Sequence, residues 1–147
     1  MKCLSFLGAG NLKETDYLYA GRDCRTCVIQ EAIIQFLEPD EIYLLHTDWA
    51  YTENGRQVRE TLERYGNTKI TWIKIPEGRS EEELWEIFGI IVDTIDHGEE
   101  IVFDITHGFR SLPFIAFLVC AYLRAAKDVS ISKIIYGAFA SLSDSSS

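Results

Sequence analysis

The sequence has few positive charges for its length. Of its 147 residues, 14 are lysine or arginine and 23 are aspartate or glutamate, so the formal net charge is -9. A protein that coats a polynucleotide needs a positive field, because contacts with phosphates supply most of the affinity. The composition therefore disfavours non-specific binding to DNA or RNA, and it disfavours an anionic membrane surface for the same reason. It remains compatible with a small anionic ligand held in one local pocket.

Long hydrophobic runs are also missing. The first apolar run ends at Gly8 and is too short for a signal peptide. The longest run, residues 112–123, contains Pro113 and is too short to cross a bilayer. We therefore expect a cytoplasmic protein without a membrane segment, and the length fits one domain with its own core.

The four cysteines lack the spacing of a complete metal site. Cys24 and Cys27 have the spacing of a redox or zinc pair, but no second pair of cysteine or histidine residues completes it. We expect these two thiols to stand at the start of a helix. Cys3 and Cys120 lie in apolar runs and are expected to be buried. The sequence predicts no bound metal and no cofactor.

Short apolar runs alternate with longer amphipathic ones along the chain. The predicted strands are residues 3–7, 42–46, 70–75, 101–105 and 131–136. The predicted helices are residues 26–36, 55–65, 80–97 and 111–127. This alternation favours an α/β fold: a Rossmann-like, doubly wound, mainly parallel sheet of about five to six strands with helices on both faces. The domain is expected to span residues 1–139, followed by a flexible polar tail at residues 140–147.

Residues of types that suit ligand binding follow the first and fourth predicted strands. In a doubly wound sheet, ligands bind beyond the carboxyl ends of the strands, where the strand order reverses. For the order 3-2-1-4-5, that point lies between the first and fourth strands, so their two loops should face each other. The candidate ligand-binding residues there are Gly8, Ala9, Gly10 and Asn11 in the first loop, and Thr106, His107, Gly108, Phe109 and Arg110 in the second.

The glycine turn after the first strand is open to two interpretations. Its glycines either supply positive φ for a tight turn, or let backbone amides approach a phosphate or a nucleobase. A dinucleotide fingerprint would require glycine or alanine where Lys13 stands, with a helix starting at once. A polar stretch, residues 11–25, follows instead. A nicotinamide or flavin site is therefore not predicted.

The loop after the fourth strand combines the groups that a phosphate pocket requires. Asp104 would be costly to bury without hydrogen bonds, so we expect it to brace this loop. Thr106 and Ser111 offer hydroxyl groups, Arg110 offers a forked cation, and the next helix begins with oriented N–H groups. The alternative is a capped helix with a surface histidine and arginine.

Two further features stay open at this point. Thr47 and Asp48 follow the second strand and either reach the same rim or cap the next helix. His107 is a candidate general acid or base, but no paired nucleophile is evident, because Ser111 lacks the Gly-x-Ser-x-Gly elbow.

Five segments occur in a fixed order along the chain. They are Phe6-Leu7-Gly8-Ala9-Gly10-Asn11, Gln30-Glu31-Ala32, Thr47-Asp48-x-Ala50, Asp104-Ile-Thr-His-Gly-Phe-Arg-Ser-Leu-Pro113 and Ile135-Tyr136-Gly137-Ala138. Together they resemble the CRISPR-associated Rossmann-fold (CARF) sensor family, in the branch found in type III CRISPR accessory ribonucleases. The resemblance implies a homodimer that binds a cyclic oligoadenylate second messenger, most often cyclic tetra-adenylate, across a cleft on the two-fold axis.

The resemblance also assigns positions to the ligand. The glycine turn with Asn11 would line the ring, Thr47 and Asp48 would lie near its edge, and residues 106–110 would contact phosphates, riboses or bases. Such sensors usually continue into an effector, often a ribonuclease with an arginine followed a few residues later by histidine. That spacing occurs nowhere in this sequence, so we expect the effector to be absent from this chain.

Two functions fit this resemblance, and the sequence leaves the choice open. One is a sensor that binds the ring and regulates an effector. The other is a ring nuclease, in which a ribose 2′-OH attacks the adjacent phosphate without a metal; Thr106, His107 and Arg110 would then be the catalytic residues. A Rossmann enzyme with another nucleotide substrate is a third possibility, which the failed dinucleotide fingerprint disfavours.

Overall fold

The computed structural model describes residues 1–108 and 112–137. Its strands are β1 (Lys2–Phe6), β2 (Thr15–Tyr19), β3 (Arg22–Thr26), β4 (Glu41–His46), β5 (Lys69–Lys74), β6 (Glu100–Asp104) and β7 (Ser130–Ile135). Its helices are α1 (Ile29–Leu37), α2 (Asp48–Leu62), α3 (Glu81–Thr94) and α4 (Leu112–Lys127). The predicted polar tail at residues 140–147 lies outside the described residues.

Five strands form one parallel sheet in the order β5-β4-β1-β6-β7. In terms of the five predicted strands this is the order 3-2-1-4-5, so β1 and β6 are the neighbours at which the direction of winding reverses. Each predicted strand lies within one residue of the observed one. The Rossmann-like α/β fold is confirmed.

The helices cover both faces of the sheet, two on each. α1 and α2 pack with Cys3, Ile42 and Leu44 on one face, whereas α3 and α4 pack with Leu4 and Phe103 on the other. This division follows from the connections, because β1-α1-β4-α2-β5 winds one way across the sheet and β5-α3-β6-α4-β7 winds back. Crossovers of one handedness then place the two pairs of helices on opposite faces. Within the described residues, no helix combines the length and apolar character needed to span a bilayer.

A hairpin between β1 and α1 was not predicted. β2 and β3 pair as a separate antiparallel sheet where the sequence predicts only a polar stretch, at residues 11–25. Only alternate side chains are buried, among them Tyr17 and Cys24, so the hydrophobic signal was weak. The turn places Ala20 and Gly21 at φ 51° and 77°, and two consecutive positive φ angles are the mark of a tight hairpin turn.

The starts of two helices also differ from the prediction. Cys24 lies in β3 and Cys27 between β3 and α1, so the expectation that both thiols open a helix was wrong. α2 begins at Asp48 rather than at Gly55, which lies inside the helix with the Tyr51 ring packed over it. Gly55 therefore marks a site of close packing inside α2 and not the start of the helix.

Candidate functional site

The loops after β1 and β6 meet at the carboxyl edge of the sheet, as expected. The imidazole of His107 lies against Gly8 so closely that a Cβ on Gly8 would stand 2.9 Å from the ring atoms Cγ and Nδ1. Gly8 is therefore required by the approach of a side chain from the other loop. Gly10 is the position that supplies positive φ, at 76°. The positive-φ interpretation therefore applies to Gly10, and approach of the backbone amides to a phosphate or a nucleobase stays a prediction.

Asp104 anchors the second loop from the end of β6. Its carboxylate is fully buried and accepts a hydrogen bond from Ser5 Oγ, at 2.6 Å to Oδ2. Oδ1 accepts from the Thr106 amide at 3.1 Å and from the Thr106 hydroxyl at 2.6 Å. Burial raises the pKa of Asp104, while these hydrogen bonds act in the opposite sense. The expectation that Asp104 braces the loop is confirmed.

The hydrogen-bonded network extends to α1 and to β7. Gln30 on α1 donates from Nε2 to Ser5 Oγ at 2.9 Å and to the Phe6 carbonyl at 3.1 Å. The amide of Gly137, just beyond β7, donates to the Thr106 hydroxyl at 2.8 Å. That hydroxyl therefore both donates to Asp104 and accepts from Gly137. It fixes the loop to two neighbouring strands.

His107, in the described part of the second loop, is a titratable side chain that contacts the first loop at Gly8. Burial lowers its pKa, and the nearby carboxylate of Asp104 acts in the opposite sense. The neutral imidazole is therefore favoured near pH 7. A neutral imidazole has one nitrogen that accepts a proton or a hydrogen bond.

Thr47 and Asp48 lie at the same edge, after β4, where the Leu7 amide continues the strand pairing by donating to the Leu45 carbonyl. The Thr47 hydroxyl caps α2 by accepting from the Ala50 amide at 3.1 Å. Asp48 is exposed and forms an ion pair with Lys74 at 3.2 Å. Of the two alternatives for Thr47, the capping role is confirmed, and contact of either residue with a ligand stays a prediction.

One residue that the sequence analysis did not identify holds the first loop from the opposite side. Asn54, on the buried face of α2, donates from Nδ2 to the carbonyl oxygens of Gly8 and Gly10, at 2.7 and 2.9 Å. The signal was present in the sequence: Asn54 lies four residues from both Ala50 and Val58, so it is a polar residue on an otherwise apolar stripe.

Of the remaining predicted site residues, the structure describes three and leaves two outside the described ranges. Ala9 and Asn11 are exposed on the first loop, and Gly108 follows His107, with its amide donating to the Ile105 carbonyl at 3.2 Å. Phe109 and Arg110 lie outside the described residues. In residues 1–108 and 112–137, no group of three or more His, Cys, Asp or Glu side chains is placed to hold a metal ion.

The sheet order and the meeting of two loops at its switch point define a Rossmann-like ligand-binding domain. Comparison with known families is consistent with this class. The profile of the family described as "CRISPR system endoribonuclease Csx1, CARF domain" matches residues 2–140. The chain therefore belongs to the CARF domain family of Csx1 proteins.

A curated relative is the CRISPR-associated protein MJ1674 of Methanocaldococcus jannaschii. The two sequences are 29% identical over 97 residues, which cover 58% of this chain and 15% of the relative. The chain thus matches a small part of a much longer CRISPR-associated protein.

Proposed function

We propose that this domain is a sensor of cyclic oligoadenylate, with cyclic tetra-adenylate as its ligand, in a type III CRISPR antiviral system. The observation that carries the proposal is the contact between Gly8 and His107, which joins the two loops of the CARF pattern at the switch point of the sheet. The ring would lie over these loops, and its binding would regulate an effector.

The chemistry of the edge supports an anionic ligand despite the charge of -9. α4 begins at Leu112, directly after the second loop, so its amino-terminal end and positive dipole end face this edge of the sheet. A phosphate close to His107 would counteract the effect of burial on its pKa, because a neighbouring negative charge raises the pKa of an imidazole. A local pocket of this kind needs no basic surface.

The ligand would bind across a homodimer, in which each protomer contributes the same contacts. An apolar face between α3 and α4 supports this part of the proposal. It contains a groove of about 190 Å³ lined by Glu81 and by Leu84, Trp85, Phe88, Ile115 and Leu118, and the exposed Tyr122 packs against Phe88 with ring centroids 5.8 Å apart. Both helices start at the edge that carries the candidate site, so a two-fold axis near the first turns of this face would bring two sites together.

A second candidate function is a ring nuclease acting on the same ligand. The lowered pKa of His107 favours it, because a neutral imidazole can accept the proton of an attacking ribose 2′-OH. The bond between the 2′ oxygen and phosphorus would form as the bond between phosphorus and the 5′ oxygen breaks. The 5′ oxygen would take up a proton from solvent, leaving one 2′,3′-cyclic phosphate end and one 5′-hydroxyl end. Thr106 is less suited to orienting this hydroxyl, since its own hydroxyl is held by Asp104 and Gly137. Arg110 would stabilise the charge on the phosphate.

The deciding experiment is calorimetric titration of the purified protein with cyclic tetra-adenylate in EDTA, followed by chromatography of the ligand. Binding with an intact ring is the expected result for a sensor. Linear products with a 2′,3′-cyclic phosphate would establish the ring nuclease. Absence of binding to cyclic tetra-adenylate and to cyclic hexa-adenylate would contradict the proposed ligand class.

The matched variants are Arg110→Ala and Arg56→Ala. Arg110 is the cation of the second loop, so its loss should weaken binding by about tenfold or more while the fold is retained. Arg56 is 93% exposed on α2 and serves as the control for loss of one positive charge. Equal weakening by both variants would show that only the net charge matters.

A further inference from the structure

The first loop of the candidate site is held by a side chain that no family pattern quoted above includes. Asn54 is 6% exposed, and its Nδ2 donates to two carbonyl oxygens, those of Gly8 and Gly10. An amide NH₂ group has two donor hydrogens, so one side chain satisfies both carbonyls. The residues joined are separated by 46 and 44 positions in the sequence.

The arrangement controls where the negative ends of the backbone dipoles point. A carbonyl oxygen carries partial negative charge and repels a phosphate oxygen. Asn54 binds the oxygens of Gly8 and Gly10 from the α2 side of the loop, while His107 packs against Gly8 from the second loop. Together the two side chains fix the turn from opposite sides.

We propose that Asn54 is a positioning residue of the ligand site: it holds the Gly8–Gly10 turn in the conformation that receives an anionic ligand, without contacting the ligand. The inference rests on the proposed function, because it concerns the binding of the same cyclic oligoadenylate. It adds a residue of α2 to a site that the sequence assigned to loops.

The test compares Asn54→Asp with Thr61→Val. Aspartate has nearly the shape of asparagine, but an ionised carboxylate donates no hydrogen bond and would face two carbonyl oxygens. Thr61 lies on the buried side of the same helix, and its hydroxyl donates within α2 to the Gln57 carbonyl at 2.9 Å. Thr61→Val therefore removes one buried hydrogen bond from α2 without touching the loop.

We expect Asn54→Asp to weaken the affinity for cyclic tetra-adenylate by about tenfold, and Thr61→Val to leave it within about twofold. Affinities are measured by calorimetry at a temperature at which both variants are folded by circular dichroism. The backbone amide resonances of Ala9 and Asn11, which follow the two carbonyls, should shift in the ligand-free Asn54→Asp protein and not in Thr61→Val. A purely structural role of Asn54 would not shift the Ala9 and Asn11 resonances selectively.

The outcomes separate this inference from the proposed function. If wild type and Thr61→Val both fail to bind any cyclic oligoadenylate, the proposed function is overturned, and this inference with it. If wild type binds and Asn54→Asp binds equally well, or if the Ala9 and Asn11 resonances are unchanged, the positioning role alone is overturned. If Asn54→Asp does not fold, Asn54→Ser, which keeps one shorter donor, replaces it, and equal affinity to wild type with unshifted resonances then overturns the role.

Discussion

The imidazole of His107 occupies the space that a Cβ on Gly8 would need, at 2.9 Å from the ring atoms Cγ and Nδ1. The two residues follow neighbouring parallel strands, β1 and β6, and are separated by most of the chain. Their contact determines how close the two loops of the candidate site approach each other. A larger residue at either position would change the width of the crevice.

Gly8→Ala should lower the free energy of unfolding by about 1–3 kcal/mol, because an added methyl group in a tightly packed contact forces neighbouring atoms apart. It should also weaken ligand binding. Urea denaturation and calorimetry measure the two effects. Gly66→Ala is the control, since an added Cβ there meets no atom within 4 Å. In the double variant Gly8→Ala/His107→Ala the loss should be smaller than the sum of the single losses; strict additivity would contradict the contact.

Thr106→Val should destabilise the protein, because valine neither donates to Asp104 nor accepts from the Gly137 amide. Leaving these buried partners unsatisfied costs about 1–3 kcal/mol. Thr106→Ser retains the hydroxyl and should stay within about 1 kcal/mol of wild type. Thermal or urea denaturation of the three proteins gives the comparison. Equal stability of the valine and serine variants would show that the hydroxyl contributes nothing.

The stability should fall on mild acidification because of two partly buried histidines, His107 and His46. Burial lowers the pKa values of His107 and His46, so in this range the unfolded state binds protons more readily than the folded state. Their contribution is complete above the ordinary histidine pKa of about 6.5 and is lost as the pH falls below it. His107→Gln should therefore reduce the loss of stability between about pH 7.5 and about pH 5.5, measured by urea denaturation. His97→Gln, at an exposed turn, provides the control; a reduction of equal size there would argue against His107.

Lys2 lies between two carboxylates at the opposite edge of the sheet. Its Nζ is 3.6 Å from Glu41 and 3.3 Å from Glu99, and the hydrogen bond to the Tyr43 hydroxyl, followed by that to Glu99, raises the Lys2 pKa. Lys2→Met should cost about 1–3 kcal/mol at neutral pH, because each of the two half-buried carboxylates loses a cation.

Urea denaturation at neutral pH measures this effect. Lys69→Met is the matched control for Lys2→Met, because Lys69 is 76% exposed and stands 3.9 Å from Glu41. An exposed pair of this kind contributes at most about 1 kcal/mol. A Lys69→Met deficit as large as that of Lys2→Met would argue against the half-buried contacts of Lys2 as the cause.

The apolar α3–α4 face should control assembly. Trp85 and Tyr122 are 56% and 44% exposed there, each with its ring against Phe88, and burying such aromatic side chains is a main source of dimer stability. Trp85→Arg should shift the protein towards monomer in sedimentation velocity and weaken binding of cyclic tetra-adenylate. Leu18→Arg, at an equally exposed position on the hairpin, should do neither. A wild-type monomer that binds the ring with full affinity would remove the need for a dimer.

Much of the fold could be predicted because its signals are local. The five strands of the sheet are short apolar runs, and α1, α3 and α4 carry stripes at helical spacing, so burial and period indicate each element directly. The hairpin lacked such a signal, since it buries little beyond Tyr17 and Cys24 in a polar stretch. The start of α2 was predicted wrongly because glycine is common at helix ends, whereas Gly55 lies inside α2 and packs under the Tyr51 ring.

The candidate site likewise has a part that the sequence predicts and a part that depends on the tertiary structure. The sequence by itself determined that Gly8 and His107 follow the first and fourth strands of a parallel sheet, because the apolar runs and the connections between them are local signals. The tertiary structure then decided that these two strands are neighbours at the switch point. Only the tertiary structure decided that Thr106 gives its hydroxyl to Asp104 and Gly137, and that Asn54 holds the glycine turn. These bonds join residues up to 46 positions apart. The geometry of these hydrogen bonds depends on how the helices pack on the sheet. Hydrophobic periodicity does not predict that packing.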